Sequence, residues 1–435
     1  MDTTPSNGNR SAVDFLANLA KEFGFAVDVQ SESLNGLEQA NIIARTGSKP
    51  VPGEFMLQTH LDTVDPGTYS LWTKTEANPF NASIYDRELF GLGAADTKLD
   101  FLCKLFAAKE FVGRDLKRPV VVVGTYGAQS GMAGAVRLVR KKKVMASYAL
   151  IGEPTNLKIM SSGKGMAVVQ VKIPFTDEER EYRSRHDTEE SSSSQSKMFS
   201  GRAAHSMAPH LGDSAIVKMF SFLQQLPAGI AVMELDGGIN YNSVPSSAYL
   251  EFDLVGGLRS TVAEKISAIW RVVLDLEKEF RNFKEDGFIY PFPSLNIGQI
   301  RTLEEGIEAT GSCRIPPTVK EDVYEGWMSR LDKVCRDVGA EFKILDYKPS
   351  FESSPGLDFV ISCQSVLNDL TGEARLGKLA ASTEASVFNR LGIECLVFGP
   401  GQSVGNSHEP NESVNVDELE TAKNFYGRVI EKVCL

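Results

Sequence analysis

No apolar run in this 435-residue chain reaches the roughly 18 residues that a membrane-spanning helix needs. Nor is there an excess of basic residues: 46 Lys and Arg stand against 57 Asp and Glu, a formal net charge of -11. That balance argues against nucleic-acid binding and anionic-membrane binding, both of which need basic surfaces. Cysteine is sparse, with six residues (Cys103, Cys313, Cys335, Cys363, Cys395 and Cys434) and no C-x-x-C pair. They read as reduced cytosolic thiols, not as a disulfide framework or a zinc knuckle. The first ten residues, MDTTPSNGNR, lack the apolar core of a signal peptide. The expected location is therefore the cytoplasm. Histidine is scarcer still, at five residues. What is present is ordinary for a globular chain, 42% hydrophobic and 24% charged, with length for two or three domains.

Hydrophobic patterning predicts an interrupted α/β chain. Val13, Leu16, Leu19, Ala20 and Phe23 recur at helical spacing over 11–24, and Gly24 suits the C-terminal cap. FAVDVQ, ANIIAR and EFMLQTH follow as strands, then a helix over roughly 97–112. PVVVVGTYG at 119–127 is a continuous apolar run, the pattern of a strand buried on both faces. A helix over 131–143 ends in Arg140-Lys141-Lys142-Lys143, a solvated terminus that the helix dipole favours. YALIGEP at 148–154 adds another strand. This alternation points to a mostly parallel sheet covered by helices. After about residue 163 the texture becomes α+β, with strands at 166–175 and near 230–254 and helices over 213–225, 261–281 and 319–338. The charged, serine-rich stretch at about 176–197 is expected to be a disordered loop. The α/β texture returns over 351–435 with IECLVFGPG and a closing helix at 416–434. The expected domains are thus a first α/β part at 1–163, an inserted α+β domain at 164–350 and a second α/β part at 351–435.

Several possible metal ligands stand at strand ends and helix starts. His60 ends an apolar strand, and Asp62 lies two residues on, the same face of an extended chain. Asp62 can accept from the second imidazole nitrogen and fix the tautomer of a metal-binding histidine. Asp96 follows the turn GLGAAD and opens a helix, Glu153 follows an apolar strand, and His408 follows the glycine-rich FGPGQSVGNS. Singly, each has a plain structural reading: a capped buried histidine, an N-cap, a solvated strand end, a surface histidine. Together they cluster where ligand sites of open α/β sheets form, at the carboxyl ends of strands. Mixed His/Asp/Glu ligation suits zinc, and cobalt or manganese less specifically.

The strings THLDTV, GLGAADTK, MAGA, IGEPTNL, GRAAHSMAPH and STEASVF, followed by FGPG and SHEP, run in colinear order through the whole chain. They resemble the co-catalytic metallohydrolase family of acetylornithine deacetylase, succinyl-diaminopimelate desuccinylase, aminoacylase and the glutamate-releasing carboxypeptidases. The look is closest to acetylornithine deacetylase. The resemblance implies a zinc-peptidase-like α/β/α sandwich catalytic domain interrupted by an α+β lid and dimerisation domain. It implies that His60 and Glu153 are ligands of a first metal, with Asp62 as the acid orienting His60. Asp96 matches the bridging carboxylate and His408 a ligand of a second metal. His205 matches a histidine of the inserted domain that reaches the partner subunit's active site in a homodimer and helps hold the oxyanion. Thr383 and Glu384 fall in a segment resembling the substrate-side loop.

One part of the pattern is missing. Where the family has Asp-Glu-Glu, this chain has Gly127-Ala128-Gln129. The first of those glutamates is the general base and acid, and Ala128 can do neither. The second is a carboxylate ligand of the second metal, and Gln129 offers only a neutral carbonyl oxygen. Leu99 and Asp100 also replace the small residues usual after the D-x-K turn. Asp100 lies four residues after Asp96, so one helix face can carry both carboxylates, as a substitute ligand or as a solvated residue. Lys98 and Lys104 read as exposed helix positions. The expectation is a metallo-amidohydrolase relative for N-acyl amino acids or similar small amides, with impaired or altered catalysis and one zinc per chain. The alternative is a non-catalytic dimer that keeps ligand binding and a single metal.

Overall fold

The computed structural model describes residues 1–34, 36–128, 131–186 and 194–435. It divides into two compact units. The first comprises Met1–Gly163, Phe351–Leu379 and Thr383–Leu435, and the second Lys164–Ser350 with Ala380–Ser382.

The first unit is built on a mixed sheet. Its path runs Ala26–Leu34, Leu37–Arg45, Val120–Thr125, Glu54–His60, Ala146–Ile151, Glu394–Val397, Met160–Gly163 and Phe351–Glu352, and Gly377–Leu379 pairs beside Met160–Gly163. The four strands from Val120–Thr125 to Glu394–Val397 are parallel. They are the near-continuous apolar runs seen in the sequence, because helices cover both faces. Side chains of Glu54–His60 alternate between those faces. Phe55 and Leu57 join a core formed with the helices Arg10–Glu22, Lys98–Ala108, Asp358–Thr371 and Val416–Cys434. Met56 joins the opposite core, which includes Ala135 and Leu138 of Ala133–Arg140 and Ala385 and Phe388 of Ala385–Asn389. By the same alternation Thr59 faces the first set of helices, and Gln58 and His60 face the second. A three-stranded meander pairs Glu88–Phe90 with both Ser83–Tyr85 and Ser413–Asn415. It ties the segment before Asp96 to the segment after His408.

The second unit carries a seven-stranded antiparallel sheet in the order Gln195–Ser200, Ser247–Asp253, Ala231–Gly238, Ser294–Leu303, Gly306–Ile315, Gly165–Pro174, Glu341–Lys348. Segments 237–257 and 294–317 both contribute to this sheet. Helices Ala215–Leu223, Val262–Phe280 and Glu321–Asp337 supply Phe220, Trp270 and Trp327 to its core. Two of these helices start at the side-chain caps Ser214 and Thr261.

One expectation fails here. Much of the stretch taken for a disordered loop is ordered: Asp177–His186 is a helix and Gln195–Ser200 an edge strand. Thr176 and Glu179 form a reciprocal capping box, with Glu179 N–H on Thr176 Oγ1 (3.2 Å) and Thr176 N–H on Glu179 Oε2 (2.9 Å). Arg183 donates to the carbonyls of Val232 and Met233 and lies over the Phe175 ring. Charge density hid a helix held by specific side-chain bonds. Residues 187–193 lie outside the described residues. No helix among the described residues is long and apolar enough to cross a membrane, and the six cysteines are free and buried.

Candidate metal centre

The parallel strands end in the polar cluster. His60 is the last residue of its strand, opposite Thr125, and is 2% exposed. Its Nδ1 lies 3.1 Å from the Asp62 carbonyl and 3.6 Å from Asp62 Oδ1. An Nδ1–H donated there leaves Nε2 as the lone-pair nitrogen of the neutral ring. The tautomer expected from the sequence is thus held mainly by the Asp62 backbone. His60 Nε2 lies 3.0 Å from Asp96 Oδ1, and His408 Nε2 lies 2.8 Å from Asp96 Oδ2. Asp96 therefore stands between the two imidazoles with one oxygen toward each. Ligand atoms of His60, Asp96 and Glu153 all lie within 4.8 Å of one another.

The electrostatics suit a cation. Burial would push the Asp96 carboxyl up, but the bonds from His408 and His60 hold it below the usual carboxylate range. Burial opposes protonation of His60, yet Asp96, Asp62 and Glu153 raise it well above the ordinary value. Burial pushes the Glu153 carboxyl up to about 8, with His60 opposing. A bound cation stabilises ionised carboxylates and neutral imidazoles, so it resolves all three shifts together. His60, Asp96 and Glu153 are placed so that together they could hold one metal ion.

The remaining expected residues fall in different places. Ala128 is partly buried, and its N–H donates to Asp62 Oδ1 at 3.2 Å. The side chain where the resemblance implies a base is a methyl group. Gln129 lies outside the described residues. Thr383 is buried, and its Oγ1 accepts the Ala385 N–H at 3.2 Å, just before the short helix Ala385–Asn389. Glu384 is also buried, with Oε2 accepting from Thr125 Oγ1 at 2.7 Å and from Gln58 Nε2. Burial lifts its carboxyl to about 7. His205 belongs to the second unit, where Ala204–His205 pairs with Ser243–Val244. It is exposed, and its Nδ1 accepts the Met207 N–H at 3.1 Å.

Two helix assignments need correction. Asp100 and Lys104 are not solvated: the side chains are 1% and 0% exposed and pair at 2.6 Å. Asp100 also accepts from Thr59 Oγ1 and Tyr426 OH. Its oxygens are engaged beneath the strand end, so it does not replace the lost carboxylate. Lys98 is half-buried, not exposed, and donates to the Met1 carbonyl.

Sequence reading missed Glu412. It is 1% exposed and accepts three backbone N–H groups, from Ala95 and Asp96 at 2.8 Å and from Gly93 at 3.1 Å. It fixes the turn that presents Asp96. Burial raises its carboxyl to about 7. Its only sequence signal is its place four residues after His408.

An α/β sheet with His and carboxylate ligands at its strand ends, interrupted by an antiparallel unit, defines a metallohydrolase architecture. Residues 56–432 match peptidase family M20/M25/M40, and the chain belongs to that family. Acetylornithine deacetylase of Yersinia pseudotuberculosis is 23% identical over 445 residues, covering 100% of this chain and 93% of the relative. Aminoacylhistidine dipeptidase from Vibrio alginolyticus shares the fold with a TM-score of 0.66 at 14% identity, over 97% of this chain and 92% of that one. An M20 family metallo-carboxypeptidase from Sulfolobus solfataricus does so with a TM-score of 0.62 at 16% identity, over 98% and 94%. The chain is thus an acetylornithine deacetylase-like member of a metal-dependent amidohydrolase and peptidase family.

Proposed function

We propose that this protein binds a small N-acyl amino acid or peptide-like amide at a single-zinc centre, and that hydrolysis there is impaired. The observation that carries this reading is the pairing of an intact His60–Asp96–Glu153 cluster with a methyl group at Ala128. When bound, zinc supplies Lewis-acid polarisation of a carbonyl and an activated water. His60, Asp96 and Glu153 would hold it, with Asp62 setting the His60 ring. His408, on the other oxygen of Asp96, would face a second position, to which a glutamine at 129 would bring no charge. Proton transfer to a leaving amine needs a side chain that titrates, and position 128 has none. General acid–base groups contribute roughly 100- to 10,000-fold in rate, so turnover would fall by about that factor.

The working form in this reading is a cytoplasmic homodimer. The edge strand Gln195–Ser200 supports it, because an open strand edge can pair with a second copy. His205 would serve the partner's site, and Thr383 with Glu384 would shape the ligand side of the centre. A non-catalytic binding role follows if the loss of the base is complete.

The test is metal analysis of the purified protein, with calorimetry and turnover assays on N-acetylornithine and related amides. About one zinc per chain, measurable ligand binding and slow or absent hydrolysis are expected. Two tightly held zinc ions or rapid turnover would refute the reading.

A further inference from the structure

The Asp100–Lys104 pair lies where the strands that carry the metal ligands end. Lys104 Nζ makes three bonds: to Asp100 Oδ2 (2.6 Å), the Gln58 carbonyl (2.6 Å) and Thr59 Oγ1 (2.9 Å). An ammonium has three donors, and all are used. Asp100 Oδ2 also accepts from Thr59 Oγ1 (2.8 Å), and Oδ1 accepts from Tyr426 OH. Tyr426 also reaches the Phe398 carbonyl at 3.2 Å, and Lys104 Nζ stands 5.1 Å from the centre of its ring.

Each of these contacts bears on a strand end of the centre. Gln58 and Thr59 immediately precede His60. The Gln58 carbonyl that takes Lys104 also takes the Gly152 N–H at 2.7 Å, and Gly152 precedes Glu153. A Cβ on Gly152 would lie 2.2 Å from Asp100 Oδ2 and 2.7 Å from Lys104 Nζ. A Cβ on Gly399, after Phe398, would lie 2.6 Å from the Glu153 carbonyl and 3.5 Å from Asp100 Oδ1. Three adjacent strand ends therefore meet at one ion pair: at Gly152 there is no space for an added carbon against the pair itself, and at Gly399 the added carbon would clash with the Glu153 carbonyl while only touching Asp100.

A buried ion pair is a poor way to gain stability alone, since desolvation offsets much of the attraction. Its distinctive property is directional: each charge demands a fixed set of partners. We propose that Asp100, Lys104 and Tyr426 are positioning residues that set the spacing of His60 and Glu153 for metal binding. The proposal rests on the metal-centre reading above. Partners that orient ligands in this way typically govern about 10- to 100-fold in metal affinity.

The experiment compares zinc affinity by chelator competition, with thermal melting measured in parallel. The variants are Asp100→Leu/Lys104→Met, Tyr426→Phe and the control Leu105→Ala, all tested well below their melting temperatures. The double variant removes both charges together and leaves neither buried alone. Leu105 is fully buried in the same helix and outside the polar network, so its truncation destabilises through packing only. Expected are a zinc affinity loss of about tenfold or more for the double variant, a smaller loss for Tyr426→Phe, and none for Leu105→Ala. If the double variant does not fold, Tyr426→Phe against Leu105→Ala carries the comparison. Affinities equal to that of the unaltered protein, or equal losses in network and control variants, would overturn the positioning role. An unaltered protein that binds no zinc would overturn the metal-centre reading, and the proposal with it.

Discussion

His60 and Glu153 stand at the ends of parallel strands, backed on both faces of the His60 strand by polar side chains. Thr59, Asp100, Lys104 and Tyr426 lie on one face, and Gln58, Thr125 and Glu384 on the other. Ala128 and His408 stand instead on loops, with the Ala128 amide on Asp62 and His408 Nε2 on Asp96 Oδ2. In the proposed reading the supported half keeps its ligands, and the loop half carries Ala128 and Gln129 where the resemblance implies two carboxylates. Loop residues bear little packing, so their chemistry can change without cost to the sheet. Binding and proton transfer, which occupy one site, therefore rest on parts of the molecule that vary independently.

The sharpest way to test that independence is to restore the loop alone. Ala128→Glu with Gln129→Glu should raise turnover of a bound amide by roughly 100- to 10,000-fold, read from kcat on the ligand that binds best. Melting temperature should change little, because the bond from position 128 to Asp62 is made by the backbone N–H and not by the side chain. No gain in turnover would show that the supported half has itself diverged from catalytic geometry.

Ligand substitutions compare the two halves directly. Structural zinc sites are worth roughly 10–16 kcal/mol over about four ligands, or about 3 kcal/mol for each. Glu153→Gln should then weaken zinc binding by about 100-fold. His408→Gln, on the side short of charge, should weaken it less than about tenfold. Chelator competition measures both, and equal losses would erase the distinction between the halves.

The same contrast explains what could be read from sequence. His60, Asp96, Glu153 and His408 were legible because each adjoins a local signal: a strand end, a turn or a glycine-rich loop. Asp100 and Lys104 were misread because an i,i+4 pair of opposite charges is the usual mark of a solvated helix face. Periodicity says that two residues share a face but not what the face packs against. Glu412 gave no signal beyond its place four residues after His408, since its three N–H donors lie more than 300 residues away in sequence. The helix Asp177–His186 was hidden by composition, although its Thr176–Glu179 capping box was visible in principle. Glu412→Gln tests the largest of these omissions. The amide would set N–H groups against backbone donors, costing about 1–3 kcal/mol of stability. Zinc affinity should fall about 10- to 100-fold through the displaced Asp96 turn.

The smallest expected effect is the pH dependence of stability, and its sign is fixed by the site. Burial holds Glu153 at about 8 and Glu384 and Glu412 at about 7, each from an ordinary 4.5. A folded carboxyl raised in this way binds its proton more tightly than the unfolded chain does. Its penalty is absent below about pH 4.5, grows between there and the folded value, and is complete above it. His60, raised by Asp96 against the effect of burial, works in the same direction, because its stabilisation is lost as pH rises through its folded value. Asp96 is lowered, so its contribution is lost only as pH falls below its ordinary 3.8, outside this window. Chelator-treated protein should therefore melt lower at pH 8.5 than at pH 5.5, by roughly 5 °C. Zinc should reverse the trend, since its ligands bind deprotonated and its affinity climbs with pH. Titrating groups stand on both sides of the centre, with Glu153, Glu384 and His60 in the supported half and His408, raised by its bond to Asp96, on the loop, whereas Ala128 contributes none. Restoring Glu at 128 and 129 should steepen the decline in chelator-treated protein, and a slope unchanged by the restored pair would place those carboxylates outside the coupled cluster.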